Sequence, residues 1–263
     1  MLRMLPYTLM GVVAAGLLQS PVASAQFTKD EFKCELGTDK LLDKFTQAKV
    51  KCILKCEDTA RKGDVPFSNC EPPYAGLAAA CISGAEKGAE AKAVAAIVKA
   101  CSKDCPECYG DCSATGYPST RVLNTEAKID LLVPQVACEH TADKAKAKCI
   151  NSTAKTLVKF VQSKDKCYEK CLTTAYKGSL SSLPCMPPAT QPDTVACIAK
   201  VEGKATAAIN NACFVPPANA PTCYDGSPLR PNTGAGWVVL AEASVDAGVP
   251  AIFCGSPGGA FVE

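Results

Sequence analysis

The residues best suited to chemistry are cysteines, and they are densest in the pattern Cys101-x3-Cys105-x2-Cys108-x3-Cys112. Four thiolates at this spacing could hold zinc, and Cys105-Pro-Glu-Cys108 has the spacing of a redox pair. Neither a second C-x-x-C pair nor a βαβ pattern accompanies the cluster in the sequence. We therefore favour structural disulfides over metal binding and redox chemistry.

The single histidine, His140, stands in the sequence Cys138-Glu-His. A base beside a carboxylate and a thiol resembles a nucleophilic arrangement. However, adjacent residues of a helix point in different directions, and the cysteine is expected to be oxidised. One histidine gives little support to a catalytic triad or a metal site built from histidines. No cysteine pair is followed by His, as covalent haem attachment would require. We predict no enzyme activity and no cofactor.

Lysines form the second pattern, because in each of two segments five of them fall within about 60° of one another at 100° per residue. Each stripe lies beside the face that is expected to be buried. Two such stripes could contact an anionic surface such as lipid headgroups or an acidic polysaccharide, although charged faces usually only solubilise a helix. Aromatic interleaving of the nucleic-acid-binding kind is not seen, so nucleic acid is not predicted as a partner. The stripes are Lys40, Lys44, Lys51, Lys55 and Lys62, and then Lys155, Lys159, Lys166, Lys170 and Lys177.

The segments that carry these lysines are two copies of one sequence. Residues 34–73 return, shifted by 115 positions, as residues 149–188, with 19 of 40 positions identical and no gap. Such a repeat predicts two homologous structural units. Seven cysteines match between the copies, whereas Cys105, Cys112, Cys138 and Cys254 have no counterpart in this alignment.

Each copy is predicted to open with a long helix. The sequence Thr28-Lys-Asp-Glu31 has the form of a capping box, with Thr38 and its counterpart Thr153 as alternative starts. Gly63 and Gly178 mark the two ends, because glycine readily adopts the left-handed conformation that closes a helix. The cysteines of these helices share a face with apolar residues, which favours bridges to a neighbouring helix: Leu42, Phe45, Cys52, Cys56 and Ala60, and Leu157, Phe160, Cys167, Cys171 and Ala175.

A second helix follows a Pro-Pro turn in each copy, predicted over residues 75–100 and 194–212. The first copy is four residues longer between its cysteines here, which we interpret as one extra helical turn. Cys81 and Cys101 lie about 160° apart on an ideal helix, so at least one of them should sit at an irregular end.

In an antiparallel hairpin, the helix lengths suit bridges from Cys34 to Cys101 and from Cys52 to Cys81. A bridge from Cys56 to Cys70 would then close the loop, and the second copy offers matching pairs. Sequence alone leaves other pairings open. The structural disulfide candidates are Cys34, Cys52, Cys56, Cys70, Cys81, Cys101, Cys149, Cys167, Cys171, Cys185, Cys197 and Cys213.

The first 25 residues are typical of a cleavable secretory signal peptide, with Arg3, an apolar run from Leu9 to Leu18 and small residues before Gln26. A retained anchor is the alternative, and no later segment is expected to span a membrane. Removing Arg3 leaves 27 basic and 26 acidic residues, so no global charge selects a partner. Eighteen cysteines in an exported chain predict a disulfide framework in the periplasm or outside the cell.

The remaining segments were assigned by composition. Residues 26–112 are predicted to form the first hairpin, 113–134 a linker, 135–225 the second hairpin with an extra helix over 135–148, and 226–263 an irregular tail. Within this tail, two short apolar runs, 237–240 and 251–253, are predicted to be strands.

The repeated core, Lys51-Cys52 to Lys55-Cys56 and Lys166-Cys167 to Lys170-Cys171 with a following Lys-Gly, resembles uncharacterised exported bacterial proteins built from Cys-rich, Lys/Ala-rich helical hairpins. The resemblance covers most of both copies. It implies an architecture but no activity, cofactor or site.

The sequence therefore predicts an all-α fold of two tandem homologous disulfide-stapled helical hairpins with an irregular C-terminal tail. The leading functional hypothesis is an exported structural or binding module that contacts an anionic surface through its lysine stripes. The alternatives are a carrier of apolar ligands or lipids within a stapled helical bundle, and a thiol-dependent redox or metal-binding protein.

Overall fold

Helices form the regular structure of residues 28–85, 87–178 and 183–254, the parts of the chain that the computed structural model describes, and these parts contain no β-strand. The predicted all-α fold with disulfide staples is confirmed. The predicted signal peptide, residues 1–25, lies outside the described residues. The α-helices in chain order are α1 (Lys29–Arg61), α2 (Gly76–Ile82), α3 (Ala89–Ala100), α4 (Tyr117–Val136), α5 (Lys144–Tyr176), α6 (Pro192–Ile209), α7 (Gly234–Asp246) and α8 (Val249–Ile252).

The long helices α1 and α5 begin and end at equivalent positions of the two copies. Thr28 and Glu31 form the predicted capping box, and Asp143, at the position equivalent to Thr28, accepts hydrogen bonds from two backbone N–H groups of the first turn of α5. At the other ends, Gly63 and Gly178 have positive φ angles of 85° and 78°. The repeat therefore extends back to the N-caps, and the alternative later starts are wrong.

The second predicted helix is continuous in only one copy. In the first copy it is broken into α2 and α3 by residues 83–88, so the four extra residues form a break and not an extra helical turn. Glycine suits the break, since a Cβ at Gly84 would lie 2.3 Å from the carbonyl oxygen of Ala80. Cys101 caps the end of α3, and Cys213 lies in a π-helical turn after α6. Cys101 thus sits at an irregular helix end, as its spacing from Cys81 predicted, and Cys213 does the same in the second copy.

Each copy contains a third helix that sequence analysis missed. Residues 113–134, predicted to be a linker, contain most of α4, and residues 137–143 are not helical, so the extra helix predicted over 135–148 is wrong. The predicted irregular tail contains α7 and α8, and its two predicted strands are helical or lie at a helix end. Residues 121–138 align with 237–254 at a shift of 116 positions, with 7 of 18 identical.

The two copies are related by an approximate two-fold axis, because α1 and α5 pack antiparallel. The ring of Phe32, near the start of α1, stacks on that of Tyr176, near the end of α5, with 4.4 Å between centroids. At the other end of the pair, the Arg61 guanidinium lies 3.5 Å from the side-chain oxygen of Asn151. A half-turn that exchanges two antiparallel helices has its axis perpendicular to the plane that contains them. Side chains that lie above this plane in one copy therefore also lie above it in the other copy.

Two disulfides cross this axis reciprocally. Cys108 of the first copy is bonded to Cys254 of the second, and Cys223 of the second copy is bonded to Cys138 of the first. These four cysteines form two repeat-equivalent pairs, so the earlier conclusion that Cys138 and Cys254 have no counterpart is wrong. The tyrosines that follow Cys108 and Cys223 also bond to the other copy. The Tyr109 hydroxyl donates to the Ile252 carbonyl at 2.6 Å, and the Tyr224 hydroxyl donates to the Val136 carbonyl at 2.9 Å.

A buried ion pair joins the third helix to the first. The side chain of Lys49 on α1 is 0% exposed, and its Nζ lies 2.5 Å from the Glu126 carboxylate and 2.6 Å from that of Asp130, both on α4. The Tyr74 hydroxyl donates to the same Asp130 carboxylate at 2.5 Å. A buried charge is tolerated only with such partners, so this network selects the position of α4 along α1.

The second copy contains the same network. Lys164 Nζ on α5 lies 2.5 Å from Glu242 and 2.7 Å from Asp246 on α7, and the Tyr168 hydroxyl donates to Asp246 at 2.8 Å. Tyr168 is not at the position equivalent to Tyr74, so the two copies supply the same phenol from different parts of the chain. The network is thus a property of the fold that both copies keep.

The apolar segment formed by α7 and α8 requires a correction. Residues 234–252 have the length and the mean hydropathy, 1.3, of a membrane-spanning helix, contrary to the expectation that no later segment is long enough. In this fold Trp237 and Ala241 of the segment are buried, and its two carboxylates bind Lys164. We therefore assign the segment to the protein core, where apolar helices pass the same test.

We predict that Lys49→Met destabilises the protein by about 3 kcal/mol, because it leaves two carboxylates without their cation. We use the lower end of the range for breaking a buried pair, since Glu126 and Asp130 are 17% and 24% exposed. The matched control is Lys51→Met, at an exposed position of the same helix, which should change the free energy of unfolding by less than about 0.5 kcal/mol. Denaturant unfolding measures both, and equal effects would contradict the assigned role of Lys49.

Candidate functional site

The twelve candidate cysteines form six hairpin bridges, and these are the pairs that the helix lengths favoured. The bridges are Cys34–Cys101, Cys52–Cys81, Cys56–Cys70, Cys149–Cys213, Cys167–Cys197 and Cys171–Cys185. In each copy they tie the long helix to the following hairpin arm and loop. The side chains on the opposite side of each long helix are thereby held on a rigid support.

The densest cysteine cluster is divided among three disulfides. Cys101 is bonded to Cys34, Cys105 to Cys112, and Cys108 to Cys254. The sulfurs of Cys34, Cys101 and Cys112 lie within 4.8 Å of one another, but each already belongs to a disulfide. Within the part of the chain that the structure describes, every cysteine is bridged, so the thiol-dependent alternative finds no free thiol there.

His140 lies in the loop between α4 and α5, not on a helix as predicted. Its Nε2 is 3.0 Å from the Glu71 carboxylate. Its ring packs edge-on against the Phe67 ring, with 4.3 Å between the ring centroids. The neighbouring Cys138 is bonded to Cys223. The thiol, base and carboxylate suggested by the sequence therefore do not form a nucleophilic site.

The lysine stripes are exposed along their whole length. All ten predicted lysines are solvent-exposed, and four more continue the stripes towards the helix starts: Lys29, Lys33, Lys144 and Lys148. Sequence analysis missed these four because the repeat was begun at Cys34, although the same shift of 115 positions relates them. We call the fourteen lysines the lysine face.

Both stripes lie on the same side of the molecule. Lys49, which contacts α4, lies about 180° around the helix from Lys40, so the stripe of α1 points away from α4. The two-fold axis perpendicular to the helix pair carries this stripe onto that of α5 without changing sides. Lys40 Nζ lies 3.8 Å from the Glu169 carboxylate across the pair, which places this lysine beside α5. The two helices therefore present one continuous basic surface.

A pocket lies on the other side of the helix pair, between α1, α4, α5, α7 and α8. Its volume is about 110 Å³, and we call it the central pocket. Aliphatic side chains form most of its wall. The charged residues that line it are Asp39 and Asp43 of α1, Asp165 of α5, and Arg121 and Lys128 of α4.

The three carboxyls of the central pocket are unusually basic. Burial, together with repulsion from Asp43 and Glu169, holds the pKa of Asp39 well above its usual value. Burial, with repulsion from Asp39 and Asp43, does the same to the pKa of Asp165. Burial raises the pKa of Asp43 to about 7, against a hydrogen bond with Asp165 that lowers it. The cluster thus holds protons at a pH where exposed carboxyls are ionised.

Sequence analysis did not identify this pocket. Its charged residues come from three helices, one of which was predicted to be a linker, so no spacing along the chain brings them together. No family model matches the chain, and no curated protein or solved structure is detectably similar to it. The resemblance to Cys-rich exported hairpin proteins remains a prediction.

We predict that the carboxyl cluster makes the protein less stable as the pH rises. A carboxyl whose pKa is raised by folding contributes stability that is present below its unfolded pKa and lost as the pH passes its folded pKa. For Asp43 this window runs from about 4 to about 7. The charged groups that face it are Asp39, Lys40, Arg121, Lys128, Asp165, Lys166 and Glu169.

Asp43→Val tests this dependence, because Val158 occupies the equivalent position of the second copy. The melting temperature of the native sequence should fall between pH 4 and 7, and Asp43→Val should fall less steeply. Asp58→Asn, at an exposed position of the same helix, should keep the native slope. Equal slopes for native protein and Asp43→Val would contradict the assignment.

Proposed function

We propose that this protein is an exported, disulfide-stabilised module that docks on an anionic lipid surface through its lysine face. The observation that carries the proposal is that six positions of α1 and its C-cap are lysine, and so are the seven equivalent positions of α5 and its C-cap, whereas only 19 of 40 aligned positions are identical. A face that merely solubilises a helix can use either sign of charge at any of these positions. The fourteen lysines outnumber the exposed carboxylate that shares their side, Asp58, so the net positive charge there serves to attract an anion.

The shape of the face fits an extended partner. Each helix has 33 residues and is therefore about 50 Å long. The exposed large hydrophobic residues of the described structure lie outside both helices, at Leu77, Leu123, Leu131, Val195, Val215, Leu229 and Val239. Binding through this face would therefore be electrostatic and peripheral, with no apolar insertion and a strong dependence on salt.

The disulfides support both the location and the rigidity that the proposal needs. Nine bridges are typical of proteins from oxidising compartments such as the periplasm or the extracellular space. Three bridges tie each long helix to its own hairpin. A preformed face loses little conformational entropy on binding, so the attraction of each lysine is retained.

The carrier hypothesis receives less support in its lipid form. Pockets for drug-sized ligands usually have volumes of about 300–1,000 Å³, whereas the central pocket measures about 110 Å³ and a neighbouring apolar cavity about 50 Å³. A third pocket, between α3 and α4, has a volume of about 380 Å³, and Ser83, Glu90 and Ser119 line it. These polar groups suit an acyl chain less well than an aliphatic wall would.

Co-sedimentation with vesicles tests the docking proposal. The mature protein should bind phosphatidylcholine vesicles that contain phosphatidylglycerol, should not bind phosphatidylcholine alone, and should dissociate in high salt. Replacing six face lysines by Gln should weaken binding at least about a hundredfold, since each lysine near an anionic membrane contributes about 1 kcal/mol. The six are Lys44, Lys51, Lys55, Lys159, Lys166 and Lys170.

The matched control replaces six exposed lysines elsewhere by Gln and should bind as the native protein does. These are Lys87, Lys92, Lys99, Lys103, Lys200 and Lys204. Equal losses in both variants would sink the proposal, because net charge alone would then explain binding. Binding to a soluble uronic-acid polymer but not to anionic vesicles would reject the lipid surface in favour of a polysaccharide.

A further inference from the structure

The internal duplication provides a comparison for the central pocket. The apolar cavity of about 50 Å³ is lined by Val50, Ala154, Val158 and other aliphatic residues at the contact of α1, α4 and α5. Its lining residues are the repeat equivalents of lining residues of the central pocket, so the approximate two-fold axis exchanges the two. One fold has therefore built the same pocket twice, with different side chains.

Among the equivalent positions that line both pockets, the difference in charge is confined to three, and Gly248 in place of Leu132 leaves more room in the central pocket. Asp39, Asp43 and Asp165 of the central pocket correspond to Ala154, Val158 and Val50 of the apolar cavity. Since the second cavity is closed by small aliphatic residues, the fold does not require carboxyls at these positions. Burying carboxyls opposes folding unless they are compensated. Their presence in only one of two equivalent pockets therefore indicates a role other than packing.

The polar groups of the central pocket are only partly paired. Asp43 and Asp165 share a hydrogen bond, and Lys128 Nζ donates to the Ser244 carbonyl at 2.9 Å. Asp39 is 2% exposed and its side chain is hydrogen-bonded with Glu169, but its Oδ2 has no donor. The buried Nε of Arg121 has no acceptor. In the described parts of the chain, neither Arg121 nor Lys128 lies within 4.0 Å of a pocket carboxylate as an ion pair. Both signs of charge thus line one small space without neutralising each other, and a buried acceptor without a donor costs about 1–3 kcal/mol.

From this geometry we propose that the central pocket binds a small zwitterion with an aliphatic body, of the α-amino acid class. The ligand ammonium group lies among the three carboxyls and donates to Asp39. Its carboxylate is bound by Arg121 and Lys128, whose guanidinium and ammonium groups suit carboxylate recognition. Its aliphatic part packs on the wall formed by residues such as Leu42, Ile129 and Val245.

A metal ion fits the pocket less well. Among the described residues, the groups with three ligand atoms within 4.8 Å of one another both include disulfide-bonded cysteines, and neither includes a carboxyl of the central pocket. Calcium and magnesium need several oxygens around one point. The two cations and the aliphatic wall also favour an organic ligand. A cavity of about 150 Å³ can hold a benzene molecule, so about 110 Å³ holds the aliphatic side chain of valine or leucine but not the whole amino acid. The charged ends of the ligand therefore extend towards the half-exposed side chains of Asp43, Arg121 and Lys128.

Isothermal titration calorimetry on the full-length mature protein separates the parts of this proposal. L-Valine and L-leucine should be tried as ligands, with 3-methylbutylamine lacking the leucine carboxylate and 4-methylpentanoate lacking its ammonium group. At least one amino acid should bind, and each leucine analogue should bind at least about tenfold more weakly than leucine, because either analogue leaves buried protein groups unpaired. Calcium chloride alone should give no binding.

The triple variant Asp39→Ala, Asp43→Val, Asp165→Val gives the central pocket the residues of its apolar equivalent. It should fold with all nine disulfides and bind no amino acid, whereas Asp58→Ala, at an exposed position outside the pocket, should bind as the native protein does. Should the triple variant not fold, Arg121→Gln is the second test, because it should abolish the preference for leucine over 3-methylbutylamine.

Three results would overturn the proposal: no binding of either amino acid, equal binding of 3-methylbutylamine and leucine, or binding of calcium in place of the amino acids. None of them decides whether the lysine face binds vesicles, because among the face lysines it is Lys40 and Lys166 that act on the pocket carboxyls.

Discussion

The antiparallel packing of α1 on α5 is the constraint on which the rest of the structure depends. It places the two copies around one approximate two-fold axis. That axis determines which surfaces of the two copies lie side by side and form one continuous surface. The lysine stripes meet on one side of the pair, while α4 and α7 close the other side and enclose the pockets. One hydrophobic core runs through both copies, and each third helix is fastened at its end to a cysteine of the other copy. The duplication has therefore produced one interdependent unit from two hairpins and two added helices.

The sequence predicted the parts of this unit that depend on local order. Helices α1 and α5 follow from capping, periodicity and terminal glycine, and the hairpin bridges follow because cysteines on one buried face must meet the nearest helix. The third helices were missed for a physical reason. Their identity to each other is low, their shift is 116 positions and not 115, and their short Val- and Ile-containing runs resemble strands when the partner surface is unknown. The break between α2 and α3 was missed because a four-residue insertion preserves helical phase, although two glycines mark it.

The two candidate sites also differ in how far local sequence order predicts them. A stripe of lysines is a property of one helix and can be predicted from spacing, but the union of two stripes on one side requires the relation between the copies. The central pocket needs residues from α1, α4 and α5 at once, so no linear pattern predicts it. Charge is also unevenly distributed in a chain with 28 basic and 26 acidic residues: fourteen exposed lysines share one side of the helix pair, while carboxyls such as Asp39 and Asp165 are buried on the other. Burial raises the pKa values of these two carboxyls, so they are protonated more readily. Protonation removes their charge and lowers the electrostatic cost of burying them.

Peptide mapping of the non-reduced, monomeric mature protein tests the interdependence of the two copies most directly. The account predicts a peptide pair joined through Cys108 and Cys254 and another joined through Cys138 and Cys223. Finding Cys108 bonded to Cys138 and Cys223 bonded to Cys254 would contradict it. Each copy would then close on itself, and the shared axis, the common lysine face and the paired pockets would lose their covalent basis.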